Sequence, residues 1–147
     1  MYHFRKANSA DKDILLEWIN EPLTRQMSLN DNFITQEEHN IWFANSLEKG
    51  NTELFMYEEI LDNGERNSVA NIRVDKNKDR KYLSWNVSGE MRNKGIGGRM
   101  LREFTLKFKN NYFAIIKDNN NASISICSKS GFRKYYSRDE ITYWKNF

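Results

Sequence analysis

The sequence predicts an α/β (α+β) domain: a mixed sheet of six to seven strands flanked by about four helices. Short runs that alternate apolar and polar residues, such as "YHFRKA" and "KYLSWNVS", read as strands. Runs with apolar residues three and four apart, such as "DILLEWIN" and "IGGRMLREFTLKF", read as helices. In the second half the two kinds alternate, which implies a partly parallel sheet with helices packed on it.

"YHFRKA" opens the chain as a strand. "SADKDILLEWIN" follows as a helix, with Ser9 or Asp11 as its N-cap and Ile14, Leu15, Trp18 and Ile19 at helical spacing. Pro22 ends or redirects it. "ITQEEHNIWFANSL" is a second helix, in which Thr35 and Glu38 have capping-box spacing and after which Gly50 closes the run. "TELFMYEEI" and "SVANIRV" are strands joined through the hairpin signal Asn63-Gly64. "KYLSWNVS" is the next strand. Ile96, Met100, Leu101, Phe104 and Phe108 then mark one face of a third helix. "NYFAIIK" is a strand, "NASISICSKS" a short helix stopped at Gly131, and "FRKYYS" and "EITYWKNF" are closing strands.

Composition bounds the function. The 147 residues read as one continuous domain, 1–147, without repeat or linker. A chain of this length buries roughly 70% of its unfolded surface. No apolar run approaches the roughly 20 residues that span a bilayer, and the opening "MYHFRKANSADKD" has no apolar targeting segment. The expectation is a cytoplasmic protein that needs no membrane. One cysteine, Cys127, excludes an intramolecular disulfide, and two histidines beside it make no metal cluster. A net charge of +3 suits an anionic small ligand and is too weak to argue for nucleic acid.

"MRNKGIGGRML", Met91 to Leu101, carries the chemistry. A strand that leads through glycines into a helix builds an anion cradle. Glycine lets the backbone approach a ligand closely, and the first helical turn offers free N–H donors and a partial positive charge. Arg92, Lys94 and Arg99 add counter-charge. The stretch is not a Walker loop, which needs G-x-x-x-x-G-K-[ST]. Nor is it a dinucleotide fingerprint, because Met100 stands where the third glycine belongs.

"RNKGIG", Arg92 to Gly97, resembles the acetyl-CoA-binding motif [QR]-x-x-G-x-[GA] of the GNAT superfamily of N-acetyltransferases. "NNASISICSKSGF", Asn120 to Phe132, is similar to a later block of that superfamily, N-x-x-[SA]-I-x-x-x-x-[KR]-x-G-F, and follows a strand as it should. Toward the N-terminus, Trp18, Asn20, Glu21, Pro22, Arg25, His39, Trp42 and Phe43 resemble a GNAT branch that acetylates an amino group of a nucleotide-linked sugar, as in pseudaminic acid pathways. Ile19 departs from that branch, which usually carries arginine there.

The resemblance implies a mostly antiparallel sheet and direct acetyl transfer from acetyl-CoA to a primary amine of a small molecule, with homodimer formation left open. It assigns cofactor binding to Asn86, Val87 and Ser88, to Arg92, Asn93, Lys94, Gly95, Ile96, Gly97, Gly98 and Arg99, and to Asn120 and Ser123. It implies acceptor contacts from Asn20, Arg25, His39 and Trp85, while Trp18, Trp42 and Phe43 read as core or groove wall. The amine must lose a proton to attack, and the thioester carbonyl needs a donor, here a backbone N–H near Val87. Many relatives carry a tyrosine where this chain has Cys127, and a carboxylate on the strand that here holds Ser84 and Asn86. Cys127 is the candidate acid or a buried packing residue. Ser84 and Asn86 are the candidate holders of a proton-relay water, with Glu21, Glu38 and His39 as alternatives for the base and Tyr135 and Tyr136 for the acid.

Overall fold

Alternation in the strand runs decides which side chains meet which helices. The computed structural model describes all residues, Met1 to Phe147. It places β1 at Tyr2–Lys6, α1 at Lys12–Ile19, α2 at Pro22–Met27, α3 at Gln36–Glu48, β2 at Thr52–Ile60, β3 at Arg66–Asn77 and β4 at Arg80–Val87. Next come α4 at Ile96–Lys107, β5 at Tyr112–Lys117, α5 at Asn121–Lys129, β6 at Arg133–Arg138 and β7 at Ile141–Lys145. Single 3-10 turns lie at Ser9–Asp11 and Gly89–Met91.

The seven strands form one sheet in the order β1-β2-β3-β4-β5-β7-β6. Every neighbouring pair is antiparallel except β4 and β5, which run parallel. One face, carrying Phe55, Tyr57, Ile72, Val74, Leu83, Ala114, Ile116 and Trp144, packs on Ile96, Met100, Leu101 and Phe104 of α4 and Cys127 of α5. Each large side chain buried there contributes about 1.5–3 kcal/mol. On the other face Leu54 and Met56 meet Leu15, Trp18 and Phe43 of α1 and α3. Trp18 and Phe43 are therefore core, as one of the two expectations had it, and Trp42 is half-buried against them.

Five helices form where four were expected. Pro22 does not only end α1; it opens α2 from the first helical position, where a missing N–H costs nothing. Asn8, rather than Ser9 or Asp11, supplies the first cap, its Oδ1 accepting from the Ala10 N–H at 2.9 Å. Thr35 caps α3 by accepting from the Glu38 N–H at 3.1 Å. That helix then ends at an extended Lys49, not on a left-handed Gly50. A bulge at Val69 puts an extra residue between the Ala70 and Ser68 pairings. The Val69 carbonyl accepts from the Ser88 N–H at 2.9 Å, which tethers the end of β4.

Candidate functional site

The two parallel strands touch only at their beginnings. Lys81 pairs with Tyr112 and Tyr82 with Phe113, and no later residue of β4 pairs with β5. The edges from Leu83 to Val87 and from Ala114 to Lys117 thus diverge as the two arms of a wedge. Helix α2 sits across the wide end. Lys117 Nζ, at the tip of β5, donates to the Gln26 carbonyl at 3.0 Å. Beyond the tip of β4, Arg92 meets Glu21 at 3.1 Å and Thr24 Oγ1 at 2.9 Å, and the Gly89 N–H donates to Glu21 Oε1 at 3.2 Å.

The glycine bend follows the β4 arm. Asn93 and Gly95 are left-handed, with φ of 63° and 76°; asparagine and glycine are the residues that tolerate this. The first bond inside α4 runs from the Arg99 N–H to the Gly95 carbonyl at 3.1 Å, and no side chain caps the helix. None of the backbone N–H groups from Arg92 to Gly98 meets an acceptor in the chain in good geometry. The bend is a run of unused donors at the positive end of a helix dipole.

Its glycines serve different ends. Gly95 supplies the left-handed turn. Gly97 is glycine because of packing: a Cβ there would stand 2.5 Å from Ile126 Cδ1 and 3.3 Å from Val87 Cγ2. Gly98 is different, since a Cβ would meet only Arg102 Nη1, at 3.4 Å. The expected cations are largely taken. Arg92 is held by Glu21 and Thr24, and Arg99 pairs with Glu103 at 2.9 Å and lies 4.6 Å over the Tyr2 ring. Lys94 is exposed, without an ion-pair partner.

The remaining expectations divide. Ser84 and Asn86 lie opposite Arg73 and Asn71 in register, on the face that carries α1 and α3, and their side chains make no hydrogen bond in the chain. Trp85 does not stand with them. It packs with Val87 against the larger cluster, so it faces away from the expected acceptor side, and its Nε1 is buried without a partner. Asn120 Oδ1 caps α5 through the Ser123 N–H at 3.1 Å, which uses that oxygen and leaves the Ser123 hydroxyl free.

Cys127 is a packing residue. It is wholly buried in the larger cluster, and burial pushes its thiol up to about 12. A proton held that tightly is a poor match for a general acid at neutral pH, and the burial suits packing. Tyr135 and Tyr136 lie on β6, an edge strand separated from β4 by β5 and β7, and so outside the two strands of the wedge.

Three expected acceptor contacts also have other work. Asn20 exchanges two hydrogen bonds with the Ile34 backbone, at 2.7 and 2.9 Å. Arg25 donates to the carbonyls of Ile19, Asn30 and Asn32 at 2.7, 2.9 and 3.0 Å, and to Ser28 Oγ at 2.9 Å. His39 is 2% exposed, lies against the rings of Trp42 and Phe43, and reaches the Lys12 carbonyl at 2.7 Å. Asn20 and Arg25 shape the loop between α1 and α3, and His39 ties α3 to the first residue of α1, so these bonds occupy groups that a ligand would need. The sequence reading missed Asn71, whose buried Oδ1 has no partner. The signal was present: it is the one polar residue in the apolar middle of "SVANIRV".

No family model matches this chain, and no curated protein does. Solved structures do. Spermidine N-acetyltransferase from Vibrio cholerae, solved with CoA and spermine, superposes at a TM-score of 0.79 and 9% identity, over 98% of this chain and 92% of that one. A GNAT superfamily phosphinothricin acetyltransferase from Sinorhizobium meliloti, solved with acetyl-CoA, gives 0.74 and 17% over 98% and 86%. A domain from Methanocaldococcus jannaschii gives 0.81 and 20% over 99% and 97%. The fold is that of the GNAT N-acetyltransferases.

Proposed function

We propose that this protein is an acetyl-CoA-dependent N-acetyltransferase that acts on a primary amine. One observation carries the reading: an unpaired wedge between parallel strands opens beside a bend whose N–H groups, from Arg92 to Gly98, have no well-aligned acceptor in the chain. A diphosphate fits such donors without a side chain. The pantetheine amides fit the unpaired backbone edge from Leu83 to Val87. Acetyl-CoA supplies the acyl group.

The chain's own residues then do three things. A backbone N–H near Val87 donates to the carbonyl under attack. Ser84 and Asn86, free on the acceptor face, hold the water that takes the amine proton, since β4 carries no carboxylate. Helix α2, fixed by Glu21, Thr24 and Gln26, covers the wide end of the wedge and limits the acceptor's approach. The acceptor is an amino sugar linked to a nucleotide, the reading that the N-terminal sequence resemblance supports.

Purified protein incubated with acetyl-CoA and a panel of amines tests this. An amino-sugar nucleotide should release free thiol and gain an acetyl group by mass spectrometry. Acetylation of peptide N-termini or lysines instead would move the protein to a different acceptor class. A second reading, a CoA-binding module without catalysis, is favoured by the sealed Cys127 and by the lack of a carboxylate on β4. CoA binding without thiol release across the whole panel would establish it.

A further inference from the structure

Aromatic rings gather on one part of the sheet. Tyr112, Ala114 and Ile116 of β5 point into the larger cluster, so Phe113 and Ile115 point to the opposite face. There Phe113 stands 5.5 Å from Tyr82, 5.7 Å from Tyr135 and 5.2 Å from Phe147, centroid to centroid. Tyr143 joins Tyr135 and Tyr136 at 6.2 and 5.4 Å. The β6–β7 register skips Tyr135, and this bulge turns two successive rings toward one face.

No helix covers them. The cluster beneath α1 and α3 takes no residue from β5, β6 or β7. Tyr136 is 49% exposed, Phe147 41% and Tyr135 38%, while Phe113, 7% exposed, forms the floor between them. Cations edge the rings: the Arg80 guanidinium lies 4.6 Å over Phe113, and Lys145 Nζ lies 5.4 Å from Tyr135 and 5.1 Å from Phe147. Neither cation has an acidic partner. The nearby Asp75, opposite Tyr82 in register, is held by Arg73 at 2.7 Å and Thr52 at 2.9 Å. Asp139 and Glu140 lie in the hairpin at the other end of β6 and β7.

This platform shares a sheet face with Ser84 and Asn86. Along β5 it begins about 14 Å from Lys117 and the wide end of the wedge, at ~3.4 Å per strand residue. Stacking rings edged by unpaired cations suit a planar base that carries phosphates. A polycationic amine would meet like charge. A second copy docked face to face would bring four cations without acidic partners, Arg80 and Lys145 of each copy, into one interface.

We propose that the uncovered face of β5, β6 and β7 binds the base and diphosphate of the acceptor, which makes the acceptor a nucleoside diphosphate derivative whose amine reaches the wedge. This rests on the transferase reading for its purpose, but not for its binding chemistry.

Uridine diphosphate is titrated, with tyrosine fluorescence or NMR as readout, into protein first saturated with CoA so that the glycine bend is filled. UDP should bind saturably. Arg80→Ser and Tyr136→Ser should each weaken it about tenfold, with CoA affinity and thermal midpoint unchanged. Both side chains are exposed, so folding is not at stake. Four results would overturn the proposal: no UDP binding to folded, CoA-loaded protein; binding that both variants keep; an RNA oligonucleotide that binds far more tightly than UDP; or a dimer that Arg80→Ser dissolves. If CoA itself fails to bind, the transferase reading falls. UDP binding lost in the same two variants would still support the face.

Discussion

The loop between α1 and α3 and the bend before α4 are both rich in polar groups, and they use them in opposite ways. In the loop, Asn20 and Arg25 are bonded to the chain's own backbone. In the bend, the donors from Arg92 to Gly98 have no well-aligned acceptor in the chain. The loop lacks regular structure from Ser28 to Thr35, so its carbonyls need side chains to satisfy them. The bend opens a helix, whose first N–H groups are unsatisfied by construction. Side chains that look like ligands are thus consumed where the backbone is irregular. Ligand-ready groups survive where a regular element begins.

Removing the arginine that organises the loop should break this contrast most severely. Arg25→Ala strips donors from three carbonyls and a hydroxyl. It should cost about 2–3 kcal/mol in urea unfolding, because bonds from a charged donor are worth more than neutral ones. CoA affinity should hold while the apparent KM for the amine rises. An unchanged unfolding midpoint would mean that Arg25 is free to act as a ligand after all.

The two inner glycines of the bend sharpen the contrast from its other side. Gly97→Val forces a side chain onto Ile126 and Val87 and should destabilise by about 2 kcal/mol through overpacking. Gly98→Ala has room, and should be neutral or stabilising by up to about 1 kcal/mol. Yet it should weaken acetyl-CoA about tenfold by calorimetry, because its methyl would stand among the unused donors. If Gly98→Ala binds acetyl-CoA as well as the parent does, the bend is not the cradle.

The fold was legible because period and punctuation agree in this sequence. Met100, Leu101 and Phe104 were readable as one buried face, and Asn63-Gly64 as a turn, with Gly64 at φ 86°. The glycine bend was legible for the same reason: local backbone chemistry is written locally. What stayed hidden depends on partners distant in sequence. The packing need for a glycine at 97 comes from Ile126, and the bonds that occupy Asn20 come from Ile34. The facing of Trp85 follows from a register with Ile72 that no short stretch encodes. The aromatic platform is assembled from four separate segments and shows no motif in any of them.

Acid should reach the N-terminal region before the bend. Burial pushes the Asp11 carboxyl up, but Arg5, bonded to it twice at 2.7 Å, and the Asn8 N–H outweigh this and hold it below its usual range. Burial also pushes Glu58 up, and His3 and Arg5 outweigh that too. Carboxyls depressed in the native state contribute stability that is complete above their unfolded values of about 4 and lost as pH falls further. Chemical unfolding at a series of pH values should show a decline below about pH 4, and Asp11→Asn should flatten it while lowering neutral stability by about 1–2 kcal/mol.

The smallest neutral-pH effect is expected at Cys127, and it tests whether a buried thiol in the later sequence block belongs to packing or to chemistry. Cys127→Ala should lower stability by about 1 kcal/mol, the scale of one small apolar group removed from a core. Turnover with any accepted amine should stay within about twofold, because a thiol pushed up to about 12 holds its proton throughout the working range. The same shift makes a signed prediction in alkali. Above an unfolded value of about 8.5, the unfolded chain releases the thiol proton while the native chain keeps it. Wild-type stability should therefore fall with rising pH by up to about 1.4 kcal/mol per unit from this group, and the alanine variant should lack that contribution. The two denaturation curves should converge as pH rises. Parallel curves, together with a collapse in turnover, would return Cys127 to the catalytic machinery and leave α5 contributing chemistry as well as packing to the wedge.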